Sequence, residues 1–254
     1  MSTRPVSIVG IGQIEVMKAS PLSLRQMGAQ AVQRALEDAG VTRVDALFAG
    51  NMLSDELQNQ KHVAALIADE AGLHGIEALE VKAATATGAA AMRMAYFAVA
   101  SGEADLAIAI GVEKMSEGAA TPALAKALDA EQELPAGATL ISRNADLMRL
   151  YMERYKMPEN GLANFSVNAH LNARYNPNAL YRDKRLSVRE VMSRVSSMRR
   201  FGCWIVRRSA MGRRRLYWRR LRKPALIPTG QCISSRLALP RIDSALAIDA
   251  IHCG

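Results

Sequence analysis

Two glycines after the first apolar run, Gly10 and Gly12, have a spacing that can cradle a phosphate group. A dinucleotide-binding loop needs a third glycine three residues later, where the helix packs closely on the strand. That position holds Glu15, and the chain contains no Gly-x-x-x-x-Gly-Lys phosphate loop either. These residues therefore predict a structural turn rather than a nicotinamide site.

Lys82 and Lys114 lie near the ends of apolar runs, where a buried lysine can serve as a Schiff-base nucleophile. We predict structural roles for both, with Lys82 at an edge or interface and Lys114 in a turn after a strand. The four histidines are likewise predicted to be structural or solvated rather than catalytic: His62, His74, His170 and His252.

Charge is divided unevenly along the chain, which has 254 residues and a formal net charge of +9. Residues 1–197 have 20 Lys and Arg against 22 Asp and Glu, a net charge of −2. Residues 198–254 have 13 against 2, a net charge of +11, and contain all three cysteines and both tryptophans. The chain thus has two compositions, with a predicted boundary near Met198.

Taken alone, the basic segment 198–254 favours a nucleic-acid-binding arm. Arginines flank Trp204, Tyr217 and Trp218, so cations alternate with rings that can stack on bases. However, the segment has twelve arginines and one lysine, and no periodic apolar pattern with which to fold. A nucleic-acid partner is therefore kept only as a remote alternative.

The elements that would hold a site in residues 1–116 follow from hydrophobic periodicity. Apolar runs at 6–12, 44–49, 78–84 and 106–112 predict buried strands. Helices are predicted between them, from a cap at Ser23 to a left-handed residue at Gly40, over 62–71, and over 87–100. This alternation predicts an α/β domain with a mostly parallel sheet and helices on both faces.

Residues 117–197 have a weaker pattern. Helices are predicted over 123–130 and 144–155, but prolines and glycines interrupt the region at Pro135, Gly137, Pro158 and Gly161. We predict a partial loop or cap domain over one end of the sheet. The predicted domains are 1–116 as the α/β core, 117–197 as the cap, and 198–254 as an anomalous basic tail that is disordered.

The stretch 80–96 resembles the nucleophile region of thiolases. It continues through Val-Ala-Ser-Gly-Glu-Ala-Asp at 99–105 to Gly-Val-Glu-Lys-Met-Ser at 111–116, which is similar to the family's turn after a core strand. Further stretches agree with the family in the same order: 6–12, 35–41 and 168–177. The pattern resembles acetyl-CoA acetyltransferases and the sterol-carrier-protein-type branch. It implies the first of the family's two similar halves.

The resemblance implies acyl transfer on coenzyme A thioesters, by thiolytic cleavage or Claisen condensation. In thiolases a cysteine at the start of a buried helix carries the acyl group, and the helix N-terminus lowers the pKa of its thiol. Thr85 stands at that position here. A threonine hydroxyl needs a neighbouring base to become a nucleophile, and the sequence places none nearby. Thr85 is thus the candidate catalytic position, with the nucleophile replaced.

Thr85 also admits a structural interpretation. A buried β-branched residue at a strand end can cap the following helix with its hydroxyl. Its backbone N–H can still bind an oxyanion. Superfamily members without the cysteine include lyases and non-catalytic partner subunits, and that alternative stays open.

The tail also permits a change of reading frame. Permitted codons for residues 200–215, each begun one base earlier, read Pro-Leu-Arg-Leu-Leu-Asp-Cys-Ser-Pro-Ile-Gly-Asp-Gly-Ala-Ala-Ala, and the next residues continue as Ala-Val-Leu-Ala-Ser. This string resembles the thiolase segment that enters the second half. We predict a frame slip between Val195 and Met198. The catalytic histidine and second cysteine that the family's second half supplies then have no counterpart here.

These observations predict a thiolase-family acyltransferase that is inactive in this truncated form. The expected substrate is acyl-CoA, with no bound cofactor and no metal. The expected assembly is a homodimer or tetramer, or a complex with a partner subunit. The longest apolar stretch, 106–112, is far shorter than the roughly 20 residues that span a bilayer, so no membrane role is expected. Without a cleavable signal at the N-terminus, the expected location is the cytoplasm, in lipid metabolism.

Overall fold

The computed structural model describes residues 4–197 and 216–220. These residues belong to the first of two units, Met1–Leu221, whereas the second, Arg222–Gly254, lies outside the described residues. The helices and strands follow in the order β1 (Val6–Ile8), α1 (Leu24–Ala39), β2 (Ala46–Gly50), α2 (Ser54–Leu57), α3 (Val63–Glu70), β3 (Glu77–Val81), α4 (Thr87–Ser101), β4 (Leu106–Gly111), α5 (Ala120–Ala125), α6 (Leu140–Arg154), α7 (Ala163–Ala173), α8 (Val188–Ser197) and β5 (Leu216–Arg220).

The described strands form one mixed sheet in the order β1-β5-β4-β2-β3. β2 runs parallel to both β3 and β4, whereas β5 runs antiparallel to both β1 and β4. β1 therefore has the same direction as β4, and β5 alone is reversed within this sheet. The mostly parallel α/β sheet that the sequence predicts is confirmed.

Alternate residues of the central strands belong to two separate cores. Leu47 of β2 and Ile108 of β4 pack with α1 and α3 on one face of the sheet. Phe48 and Ala107 pack with α4 on the other face. Both strands are apolar throughout because helices cover both of their faces. The predicted placement of helices on both faces is confirmed.

Helix α1 begins and ends where the sequence predicts. The Ser23 hydroxyl accepts a hydrogen bond from the backbone N–H of Gln26 at 3.3 Å, and the Gln26 side chain accepts one from the Ser23 N–H at 3.0 Å. This reciprocal capping box satisfies two N–H groups that the helix itself leaves unpaired. Gly40 ends the helix with φ of 63°, the left-handed conformation that glycine adopts without strain.

Gly10 and Gly12 lie against α1 and not around an open cavity. A Cβ atom on Gly10 would lie 2.7 Å from the carbonyl oxygen of Ala35, and one on Gly12 would lie 2.7 Å from the Ala35 Cβ. The two glycines therefore allow the segment after β1 to approach the helix closely. This contact supplies the structural reason for the Gly-x-Gly spacing.

The cap region contains more helix than the sequence pattern indicates. The predicted helices at 123–130 and 144–155 correspond to α5 and to the longer α6. Helices α7 and α8 were not predicted as elements, and they pack on each other. Asn and Ser are frequent in α7 and have low helix propensity, so packing outweighs the local preference there. The domain boundaries at 116 and 197 stay predictions.

The prediction that the whole tail is disordered is wrong for five of its residues. Leu216–Arg220 form β5, which pairs with β1 and β4. Tyrosine and tryptophan favour strands, and two neighbouring strand edges offer unpaired backbone groups. The other residues of 198–254 lie outside the described residues, together with the predictions made for Trp204, His252 and the three cysteines.

Candidate active site

Thr85 lies in the short connection between β3 and α4. Ala84, directly before it, has φ of 47°, a left-handed conformation that residues with a Cβ seldom adopt. The N–H of Ala86 donates to the carbonyl of Ala83 at 2.9 Å and closes the turn. This turn leads the chain from strand into helix and leaves Thr85 exposed at the N-terminal end of α4.

The interpretation of Thr85 as a buried capping residue is wrong. Its side chain is exposed, the N-cap residue of α4 is Ala86, and no side chain caps this helix. The physical reason is the turn at Ala84, because it places Thr85 one residue before the position from which a hydroxyl caps a helix. Thr85 is therefore not required for the start of α4.

Three glycines bring the first turn of α4 onto the ends of two parallel strands. A Cβ on Gly50 of β2 would lie 2.5 Å from the carbonyl carbon of Thr87, well inside the 3.0 Å that real Cβ atoms keep. A Cβ on Gly88 of α4 would meet the Cα of Gly111 of β4 at 3.9 Å. The N-terminus of α4 is thus held at the carboxyl edge of the sheet, where open α/β sheets bind ligands.

The N-terminus of α4 can stabilise negative charge. The helix has 15 residues, and no side chain caps its first N–H groups. Aligned peptide dipoles and free N–H groups favour an oxyanion, such as the one that forms when a thioester carbonyl is attacked. Within 4–197 and 216–220, no histidine or carboxylate forms a hydrogen bond with the Thr85 hydroxyl. The arrangement can polarise a thioester but does not activate Thr85.

A buried polar network lies beside this helix end. Asn51, the residue after β2, is fully buried; its amide donates to the Val112 carbonyl at 2.6 Å and its oxygen accepts from the Ser54 N–H at 2.7 Å. The carboxylate of Glu113 accepts from the N–H of Met52. These bonds join the loop after β2 to the loop after β4. Sequence reasoning missed the network, although polar residues directly after two buried strands are a usable signal.

Lys114 continues the network on the side of α2. Its side chain is nearly buried and pairs with Glu117, while the Gln58 amide donates to the Lys114 carbonyl at 2.8 Å and to the Glu117 carboxylate at 2.9 Å. The hydrogen bonds from Lys114 and Gln58 hold the pKa of the Glu117 carboxyl below its ordinary value. Lys114 thus anchors the turn after β4, in agreement with its predicted structural role.

Lys82 is held between two carboxylates at the end of β3. Its Nζ lies 2.8 Å from Asp55 Oδ2 and 3.3 Å from Glu80 Oε1. Partial burial acts to lower the pKa of Lys82, but the hydrogen bond to Asp55 and the charge of Glu80 outweigh burial and raise this pKa above its ordinary value. A protonated amine is not a nucleophile, so this site disfavours Schiff-base chemistry at Lys82.

Three of the four histidines are described, and each has a structural setting. His62 precedes α3 with φ of 61°, and His74 is exposed with its Nδ1 3.7 Å from Asp69. His170 is buried in α7, where its Nδ1 lies 2.8 Å from the carbonyl oxygen one turn earlier. These settings agree with the structural roles predicted from the sequence. His252 lies outside the described residues.

Metal and membrane features are also absent from the part of the chain that the structure describes. No group of three or more His, Cys, Asp or Glu side chains there is placed to hold a metal ion. No helix in the same residues is both long and apolar enough to cross a bilayer.

Comparison with known proteins gives an extended match. The thiolase N-terminal domain family matches residues 6–189. The acetyl-CoA acetyltransferase of Methanothermobacter thermautotrophicus is 40% identical over 193 residues, which are 75% of this chain and 50% of that protein. The acetyl-CoA acetyltransferase of Methanocaldococcus jannaschii is 38% identical over 176 residues, 68% of this chain and 45% of that protein. The chain spans about half the length of the curated relatives it matches.

A solved structure shares the fold. The Ltp2-ChsH2(DUF35) aldolase superposes with a TM-score of 0.65 at 20% sequence identity, over 87% of this chain and 56% of that chain. The order of elements, the position of the α4 N-terminus at the carboxyl edge of the sheet, and the family match over 6–189 agree with one another. The chain therefore belongs to the thiolase family and contains its N-terminal domain.

Proposed function

We propose that this chain derives from an acyltransferase that acts on acyl-CoA thioesters, and that it does not form an acyl-enzyme itself. The observation that carries the proposal is the exposed Thr85 hydroxyl beside the N-terminus of α4, with no base bonded to it within the described residues. The uncapped helix end suits a polarised thioester carbonyl. A hydroxyl without a base does not attack that carbonyl at a useful rate.

The proposed substrate is a coenzyme A thioester, and the proposed reaction of the lineage is thiolytic cleavage or Claisen condensation. The names of the two archaeal relatives support the acetyl-CoA chemistry. We propose no bound cofactor and no metal, because a helix N-terminus supplies the charge stabilisation that the reaction needs. A cytoplasmic location and a role in lipid metabolism belong to the same proposal.

We propose that the chain is inactive in acyl transfer as written. It spans about half of its curated relatives, and a tail translated out of frame over 198–254 supplies no substitute for the other half. The catalytic histidine and second cysteine expected from the family's second half are then missing. A homodimer, a tetramer or a partner subunit remains part of the proposal, and the two-component title of the aldolase structure supports the partner.

Thr85 favours a second candidate, in which the chain is a lyase subunit or a non-catalytic partner. Carbon–carbon bond cleavage by a lyase needs polarisation of the thioester but no acyl-enzyme, so the loss of the cysteine does not exclude it. The aldolase with the same fold is consistent with this candidate.

Acylation at position 85 separates the two candidates. The protein, Thr85→Cys and the matched control Thr85→Ala are incubated with radiolabelled acetyl-CoA, and the peptide that contains residue 85 is examined by mass spectrometry. We expect label on the Thr85→Cys protein alone, because the helix end stabilises a thiolate. Label on Thr85 itself contradicts the proposal. Cleavage of a β-hydroxyacyl-CoA by the unlabelled wild type favours the lyase.

A further inference from the structure

β5 occupies an interior position of the sheet although it comes last among the described elements. It runs antiparallel to β1 on one side and to β4 on the other. Tyr217 lies opposite Ile108, Trp218 opposite Ala107, and Arg220 opposite Val6. A strand in this position pairs its backbone along both edges and has no free edge.

The neighbours of β5 are apolar on both faces of the sheet. Ala107 is fully buried in the core that contains α4, and Ile108 is fully buried in the core that contains α1 and α3. Directly paired residues of adjacent strands share a face, so register positions 217 and 218 belong to these two cores. Helix α4 also lies against β5. Aliphatic residues suit such positions, and charged residues in an enclosed strand are costly to bury.

The sequence of β5 does not match this setting. Leu-Tyr-Trp-Arg-Arg places two arginines in the interior strand, whereas β2 and β4 contain no charged residue. The family match ends at residue 189, shortly before the composition changes near 198. The position of the strand therefore agrees with the fold, and its residues do not.

The genetic code supplies the missing residues when each codon begins one base earlier. Tyrosine codons begin with TA, and every leucine codon ends in a base that converts TA into a codon for Leu, Ile or Val at position 217. Tyrosine codons end in T or C, which converts the TG of the tryptophan codon into a leucine codon at position 218. Both results hold for every codon choice. Positions 216, 219 and 220 permit Ala, Ala and Ser.

We infer that the space between β1 and β4 is a binding site for a small, apolar, antiparallel strand, and that the gene encodes this strand one base earlier than Leu216–Arg220. The two residues that the code forces to be aliphatic fall on the two register positions that belong to apolar cores. This coincidence carries the inference. It is independent of the acyl-transfer chemistry proposed for Thr85.

The nucleotide sequence of the gene, read again from the source DNA, gives the first test. The earlier frame is expected to stay open from codon 198 through codon 220 and past the codon for Gly254. It is also expected to read Ala-Val-Leu-Ala-Ser, or a similarly apolar string, at the position of β5. A stop codon in the earlier frame before position 220 overturns the inference.

A variant of the full chain gives the second test. One protein has Leu216→Ala, Tyr217→Val, Trp218→Leu, Arg219→Ala and Arg220→Ser; its control has serine instead at 217 and 218 and is otherwise the same. We expect the first variant to raise the midpoint of thermal unfolding by about 4 °C or more over the wild type, and the control to gain less. A midpoint of the first variant no higher than that of the control overturns the inference, since removal of arginine would then explain any gain.

Discussion

Gly50 sets how closely α4 approaches the sheet. Its missing side chain lets the carbonyl of Thr87 lie against the end of β2, so the helix N-terminus reaches the carboxyl edge of the strands. Gly88 and Gly111 face each other across the same contact with more room. The position of the candidate oxyanion site therefore depends chiefly on one residue of β2.

Gly50→Ala is expected to destabilise the protein. The added Cβ meets backbone atoms that cannot move aside, and overpacking of this kind costs about 1–3 kcal/mol. The matched control is Gly88→Ala, whose Cβ meets its neighbour at 3.9 Å and whose helix propensity improves. Urea unfolding of both variants checks the prediction. Equal stability of the two variants contradicts it.

Glu117 is expected to make stability depend on acid. Its folded pKa lies below its ordinary value of 4.5, so its contribution is present above that pH and is lost as the pH falls through 4.5 towards the folded pKa. The side chain is partly exposed, and an exposed pair contributes up to about 1 kcal/mol. Glu117→Gln should therefore be less stable than wild type at pH 7 and equal to it near pH 3. A difference that grows on acidification is the opposite result.

At the scale of elements, α1 and α4 begin in different ways. A capping box closes α1, whereas α4 follows a left-handed residue and has no side-chain cap. The difference suits their positions, because α1 covers a core and α4 ends at the candidate site. Open N–H groups are useful at the second position only.

Ser23→Ala is expected to cost about 1 kcal/mol of stability because it removes the hydroxyl that accepts from Gln26. Thr85→Ala, its matched comparison, is expected to change stability by less than about 0.5 kcal/mol, since Thr85 caps nothing. Thermal and urea unfolding measure both. A loss at Thr85 as large as the loss at Ser23 is incompatible with the described start of α4.

At the scale of the whole molecule, the chain exposes apolar side chains that globular proteins usually cover. Met94 is 38% exposed and Phe97 45% exposed, and they lie three residues apart on one face of α4. Helix α4 separates this face from the core that it forms with β2 and β4. A chain that spans half of its relatives is expected to leave such a face without its usual neighbour.

We expect the wild-type chain to self-associate or to be poorly soluble. The double variant Met94→Glu and Phe97→Glu should shift it towards monomer, because charges oppose burial of this face. The control is Phe165→Glu on α7, where the ring is 69% exposed. Light scattering after size exclusion measures the mass of each. A stable, monodisperse wild-type monomer speaks against the prediction.

Local signals predicted most of the α/β core. Apolar runs of strand length, Ser23 before a periodic helix and Gly40 after it gave β2, β4 and α1 with ends within two residues of those observed. Helix α7 escaped prediction because its Asn and Ser residues favour helix weakly and only packing on α8 sustains it. The network around Asn51 escaped because a hydrogen bond to Val112 joins residues far apart in the chain.

The sequence by itself determined the family, the alternation of strands and helices, the replacement of the nucleophile at Thr85 and the change of composition near 198, because each depends on residue types and local periodicity. Only the tertiary structure decided that Thr85 is exposed and caps nothing, that Gly50 admits the end of α4, and that Leu216–Arg220 lie between β1 and β4. These features depend on backbone direction and on contacts between distant segments. Neighbouring residues do not encode them.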